Sequence, residues 1–335
     1  MTIDREHPPA RHPKSKSRTP LLASLAMLLL ASGCIHLPMG NSPRAAHSVP
    51  ESVVAEFSPA RPPTLSRHET LLETRRHYTV RRIELGSEPS LVTNIIVDFY
   101  QVPRRNSPVI MLLPISGGDY EPESLFARYF ARHGLAVVLV HRREIGDQTP
   151  TTAAINDWLK QNLADNKRVL DWIETRPELD ARRIGLFGIS MGGIQAAVLA
   201  ALDPRIQAAI PGLVGGDLPF ILANSTEKSI VKQRAAFMRE HQMSLAQFQD
   251  ELRQGITCDP CLLAQYVDPR KTMLVLGMCD TVVPFRKGWE LRRQMGRPET
   301  VLLPTGHYSA ALCIPYVEIR CLRFFRKHLR GSGGP

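Results

Sequence analysis

Aromatic residues make up only 6% of the 335 residues, and they do not alternate with basic side chains along a regular groove. Nucleic acid is therefore a poor explanation for the formal charge of +10. No H-E-x-x-H is present, and no glycine-rich loop has dinucleotide or phosphate spacing, so neither metal nor organic cofactor is expected. Six cysteines include one C-x-x-C, Cys258-Asp259-Pro260-Cys261. Without a second such pair a structural zinc site is not expected, and a local Cys258–Cys261 disulfide is the reading for an oxidising compartment. Cys279, Cys313 and Cys321 are left over; Cys279 and Cys313 are open to pairing. The apolar run Leu21–Ala31 has eleven residues, too few to span a bilayer. No internal repeat stands out.

The N-terminus is organised for export. Arg5, Arg11, Lys14, Lys16 and Arg18 precede the apolar run, and small residues follow it. That order reads as a signal peptide over residues 1–33. Ala31-Ser32-Gly33-Cys34 resembles the lipobox of bacterial lipoproteins, in which the cysteine becomes the lipidated first residue. The resemblance implies lipidation of Cys34 and, with no aspartate after it, an outer-membrane destination. A plain secretory signal or a short uncleaved anchor is the alternative. Residues 34–75 hold Pro38, Pro43, Pro50, Pro59, Pro62 and Pro63 and few large apolar groups, and they read as a disordered tether. Residues 76–330 suit one large domain. Much of the positive charge lies in the signal and in Arg320, Arg323, Arg326, Lys327 and Arg330. It suits an anionic membrane or cell-wall surface, or simply a solvated face.

Within the domain, apolar runs alternate with helical spacing. His77–Leu85 and Leu91–Tyr100 read as a hairpin, and Val109–Leu113 as a buried strand ending in Pro114-Ile115-Ser116-Gly117-Gly118. The pattern continues with helix Glu123–His133, strand Leu135–Val140, a helix over 159–175 and strand Ile184–Phe187. After strand Ile206–Pro211 the rhythm breaks over 217–267, where helical segments suggest a cap. It resumes with strand Thr272–Met278, helix Arg286–Met295, strand Thr300–Leu303 and helix Val317–Leu329. Such alternation predicts an α/β fold with a mostly parallel, eight-stranded sheet.

Between strand Ile184–Phe187 and helix Gly193–Leu202 stands Gly188-Ile189-Ser190-Met191-Gly192, a G-x-S-x-G in the strand–turn–helix setting that exposes a nucleophilic serine. A serine hydroxyl needs a base, and the base a carboxylate. Of eleven histidines, His7, His12, His36 and His47 lie in the signal or tether, and His133 reads as a helix cap. His141 ends a strand near the sheet rim and stays open. His307, after the last strand and beside Gly306, is the strongest candidate. Asp280, just past strand Thr272–Met278, is the first choice of acid, with Asp217 a rival and Asp259 third.

In this order the motifs resemble those of the α/β-hydrolase superfamily, over about residues 75–330. The resemblance implies Ser190 as nucleophile, Asp280 as acid and His307 as base, with an oxyanion hole from the Met191 amide and from Ile115 or Ser116. The turn at 114–118 lacks the His-Gly start common in lipases. The implied activity is hydrolysis of a small-molecule carboxylic ester through an acyl-enzyme; an envelope acyltransferase, a small peptidase and a non-catalytic surface lipoprotein are the alternatives. Cap residues Phe220, Ile221, Leu222, Phe237, Met238 and Phe248 either line an acyl pocket or pack the cap on the core. Arg142 and Arg143 are cations for an anionic substrate group or partners of Glu144 or Asp147.

Overall fold

Ten strands, not eight, build the central sheet. A computed structural model of the protein describes residues 33–41, 43–57, 65–86, 95–117, 119–143 and 151–330. The expected signal segment up to residue 32, Gly118, and the partners Glu144 and Asp147 lie outside the described residues, as does the start of the strand expected from Leu91. In chain order the strands are β1 (Ile35–Leu37), β2 (Leu65–Thr74), β3 (Thr79–Gly86), β4 (Ile95–Gln101), β5 (Ser107–Leu113), β6 (Ala136–Val140), β7 (Leu179–Ile189), β8 (Ile206–Gly212), β9 (Met273–Gly277) and β10 (Glu299–Leu303). Across the sheet they run β1-β10-β9-β8-β7-β5-β6-β4-β3-β2.

From β6 to β10 the pairing is parallel. The hairpin β3–β4 and the β4–β6 junction are antiparallel, and so are the two outer pairs, β1 on β10 and β2 on β3. The sheet is thus mixed, which corrects the expected mostly parallel eight-stranded form. Parallel strands buried on both faces read as unbroken apolar runs; all seven residues of β5 and all five of β6 and β9 are buried.

Both extra strands come from residues 34–75, which the proline content had marked as a structureless tether. The described part of that segment is built into the fold. β1 adds to the sheet edge through backbone bonds, with Ile35 left exposed. β2 is a polar edge strand, Leu65-Ser66-Arg67-His68-Glu69-Thr70-Leu71-Leu72-Glu73-Thr74, held by its ladder to β3 and by Trp172 Nε1 donating to Ser66 Oγ at 2.8 Å. Between them, helix α1 (Glu51–Phe57) buries Phe57, and Lys167 Nζ donates to the Phe57 carbonyl at 3.0 Å. Edge pairing uses main-chain groups that every residue but proline carries, so it leaves no apolar signature.

Helices α2 (Glu121–Arg132), α3 (Thr152–Glu174), α4 (Met191–Leu202), α9 (Phe285–Gln294) and α10 (Ile314–His328) follow the strands in alternation. Between β8 and β9 lie α5 (Leu218–Asn224), α6 (Lys228–Glu240), α7 (Leu245–Gly255) and the short α8 (Pro260–Leu263). They occupy the span read as a cap. Among the described residues no helix is long and apolar enough to cross a membrane.

Candidate active site

One residue turns the chain from β7 into α4. Ser190 follows Ile189 and precedes Met191, with φ 57° and ψ −119°. A left-handed φ is costly for a residue with a side chain, so the turn must be held from outside. The Ser190 amide donates to the Gly212 carbonyl at the end of β8 (2.9 Å), and the Ser190 carbonyl accepts from Ile194 in α4 (2.9 Å). The flanking glycines allow the close packing: a side-chain carbon on Gly188 would stand 2.2 Å from the Gly192 oxygen, and one on Gly192 would stand 2.3 Å from the Leu113 oxygen of β5.

Two later turns bring groups to that hydroxyl. Asp280 follows β9, and its Oδ1 accepts from the amides of Val282 and Val283, both at 2.9 Å. Its Oδ2 accepts from His307 Nδ1 at 2.7 Å. His307 follows β10, in a loop where the Gly306 amide donates to Ser309 Oγ at 3.0 Å. An ionised carboxylate can only accept, so the Nδ1 bond places the imidazole proton on that nitrogen. Nε2 is then an acceptor, 3.0 Å from Ser190 Oγ. The Asp280 side chain is 2% exposed and that of His307 9%, which keeps water from competing for the pair.

Around the hydroxyl, Met191 is the first residue of α4, so its amide is among the N–H groups with no acceptor inside the helix. The turn after β5 supplies Ile115 and Ser116. Ile115 is not available as an oxyanion donor, because its amide already donates to Glu123 Oε1 at 2.7 Å. That leaves Ser116 as the candidate in this turn. Glu123, in the first turn of α2, is 2% exposed, and its Oε2 has no hydrogen-bond partner among the described residues. Burial holds its carboxyl above the ordinary value of 4.5, against the lowering effect of the Ile115 amide. Nothing in the sequence marked Glu123: an acidic residue near a helix start is ordinary dipole compensation.

The rival residues have other partners. Asp217 caps α5 by accepting from Phe220 N (3.2 Å) and pairs with Lys287 Nζ (2.8 Å). Asp259 is buried and accepts from the amides of Asp217, Leu218 and Cys261. His141 Nε2 bonds Asp98 Oδ2 at 3.0 Å, and its ring stacks on Tyr120 at 4.5 Å. His133 caps α2. Arg143 pairs with Asp165 at 2.6 Å, and Arg142 lies over the Tyr120 ring.

Ser190 and His307 open on a cavity of about 500 Å³. Its walls are apolar, with Phe126, Trp158 and Ile194 among the lining side chains. The cap contributes Leu218, Ile221, Leu222 and Ile230, while Phe237 and Phe248 pack on each other with ring centroids 5.4 Å apart. The cap residues therefore divide between the two roles open to them. Among the described lining residues Glu227 carries the one carboxylate, and it accepts from the Tyr308 hydroxyl.

All six cysteines are thiols in this structure, Cys258 and Cys261 of the expected disulfide among them. Asp259 between them caps α8 and separates their surroundings. Cys258 is buried near Lys160 and Glu56, whereas Cys261 hydrogen-bonds Asp259; burial pushes both thiols up to about 12. Among the described residues no group of His, Cys, Asp and Glu could hold a metal ion.

The family model for X-Pro dipeptidyl-peptidase (S15 family) matches residues 42–253, more than half of the chain. The chain belongs to the S15 family. The matched span of this S15 chain includes Ser190 and ends before Asp280 and His307. An uncharacterized protein of Mycobacterium tuberculosis is 29% identical over 148 residues, 44% of this chain and 33% of the relative; the chain thus spans about a third of the length of the curated relatives first matched. Among solved structures, an acetyl xylan esterase from Paenibacillus sp. R4 superposes with TM-score 0.65 at 18% identity, covering 95% of this chain and 97% of that one. Acetyl xylan esterase 1 from Thermoanaerobacterium sp. JW/SL YS485 gives 0.60 at 15%, covering 86% and 99%. At such identities the likeness establishes the α/β-hydrolase fold.

Proposed function

We propose that this protein is a serine esterase acting on carboxylic esters with an apolar acyl chain. The observation that carries the reading is the continuous contact from Asp280 through His307 to Ser190, 2.7 Å and then 3.0 Å, at the floor of an apolar cavity. Ser190 Oγ attacks the acyl carbon as its proton passes to His307 Nε2. Asp280 stays ionised and stabilises the imidazolium. The amides of Met191 and Ser116 stabilise the oxyanion, each worth roughly 3 kcal/mol. His307 returns the proton to the leaving alkoxide, and the same steps with water release the acid.

The walls support the acyl class. Each methylene moved from water into such a cavity contributes about 0.8 kcal/mol, a factor of about four in kcat/KM if the transition state keeps it. Rates on p-nitrophenyl esters should therefore climb from acetate towards medium chain length; a sharp preference for acetate would overturn the acyl assignment. Ser190→Ala should abolish hydrolysis and fluorophosphonate labelling together. Asp280→Asn should lower kcat by about 10⁴-fold with the fold intact, and a larger loss in Asp217→Asn would overturn the choice of acid.

A dipeptidyl-peptidase reading is favoured by the family description and by Glu227 at the cavity, a carboxylate that suits a peptide's terminal ammonium. Cleavage of Xaa-Pro-p-nitroanilides at rates above those of the esters would select it. The basic, apolar and small-residue order of the first 34 residues supports export as part of either reading.

A further inference from the structure

Cys34 and Cys313 are brought together from opposite ends of the chain. The register of β1 on β10 sets Ile35 against Leu302, so the chain before β1 runs back along the end of β10, and Gly33 lies against Pro304. That is the loop carrying His307. Cys313 closes the 3₁₀ segment Ser309–Cys313 that follows the histidine, and it is buried. Cys34 packs against the same core, and the two thiols share a hydrogen bond.

We propose that Cys34 and Cys313 form a disulfide when the protein matures in an oxidising compartment. The oxidant is a disulfide, R–S–S–R, supplied by a protein or small-molecule thiol carrier. One cysteine thiolate attacks it and expels R–S⁻. The second cysteine thiolate attacks the resulting mixed disulfide and expels the other R–S⁻. The two cysteine protons end on the two R–SH, and two electrons pass from the cysteines to the oxidant.

Burial raises both thiols, Cys34 to about 12, so the reduced pair reacts slowly once packed. The bond is made during folding and is afterwards shielded. It closes a loop longer than any other cysteine pair would except Cys34 with Cys321, and it ties the N-terminal strand to a segment whose Ala310 and Ala311 line the cavity beside His307. The other cysteines are placed differently: Cys258 and Cys261 face different surroundings, Cys279 is exposed where Cys313 is buried, and Cys321 is fully buried in α10.

The same sulfur cannot also carry a lipid thioether, so the disulfide and the lipobox resemblance are competing fates for Cys34. The full chain, made in a bacterial periplasm, is alkylated without reduction, digested and mapped by mass. The expected result is one peptide pair joining Cys34 to Cys313, lost on reduction, with the other four cysteines alkylated. Alkylated Cys34 and Cys313, a lipid on Cys34, or Cys313 joined to another cysteine would each overturn the proposal. Thermal melting gives a second reading. Reduction should lower the Tm of the wild type by about 5–10 °C and leave Cys34→Ser and Cys313→Ser unmoved; a wild-type Tm indifferent to reductant would also sink it.

Discussion

Two turns reach the Ser190 hydroxyl from neighbouring strands, and they are secured by different means. The turn after β7 is locked by sterics. Its backbone passes so close to Gly192 and β5 that only glycine fits at 188 and 192, and its amide and carbonyl are both committed to the sheet and α4. The turn after β5 is secured by one side chain: Glu123 accepts from the Ile115 amide, next to Ser116. A steric lock allows no partial release, whereas a single hydrogen bond can be weakened by degrees. Placement of the Ser190 hydroxyl is therefore all-or-none, and under the proposed function the placement of the Ser116 amide is adjustable.

The largest effect should come from breaking the first lock. Gly192→Ala drives a carbon to 2.3 Å from the Leu113 oxygen, and backbone cannot yield as a flexible side chain can. Loss of soluble folded protein, or a Tm depressed by well over 10 °C, is expected by thermal melting. A variant that melts like the wild type would erase the distinction between the turns.

Glu123→Leu should act differently. It leaves the half-buried Ile115 amide without its acceptor, at a cost of up to about 1–3 kcal/mol. The fold should persist while kcat falls about 10- to 100-fold as Ser116 loses its orientation, with KM little changed, as steady-state kinetics on an ester would report. An equal kcat in this variant would mean that Glu123 serves packing alone.

Glu123→Gln gives the smallest and sharpest test, because an amide oxygen still accepts from Ile115. The carboxyl of Glu123 is held above its ordinary 4.5 by burial, so the folded state binds the proton more tightly than the unfolded chain. Its contribution to stability is then complete below about pH 4.5 and declines as pH rises through the elevated folded value. Denaturant titrations from pH 4 to 8 should show wild-type stability falling relative to the glutamine variant, with kcat nearly equal near pH 5. A rise with pH relative to that variant would contradict the sign.

The meeting of Ser190, Asp280 and His307 was legible because each follows an apolar strand, two of them beside residues with narrow backbone options: Gly188 and Gly192 around Ser190, Gly306 before His307. The parallel centre of the sheet was legible for the same reason, since strands buried on both faces advertise themselves. What escaped was held by main-chain bonding or by burial of one charged group. β1 and β2 join the sheet through ladders that proline-rich or polar sequence does not announce. Glu123 looked like any acid at a helix start, and its role depends on where the turn at Ile115 falls in space. Asp217 and Asp280 both follow strands, and their order in the chain does not tell what faces them, Lys287 in one case and His307 in the other.

The left-handed backbone at Ser190 has a price beyond geometry. Glycine alone adopts that conformation without strain, so Ser190→Gly should yield a chain that is inert and yet melts about 1–3 °C higher. Under the proposed function, the sturdiest form of this protein would be the one that cannot react.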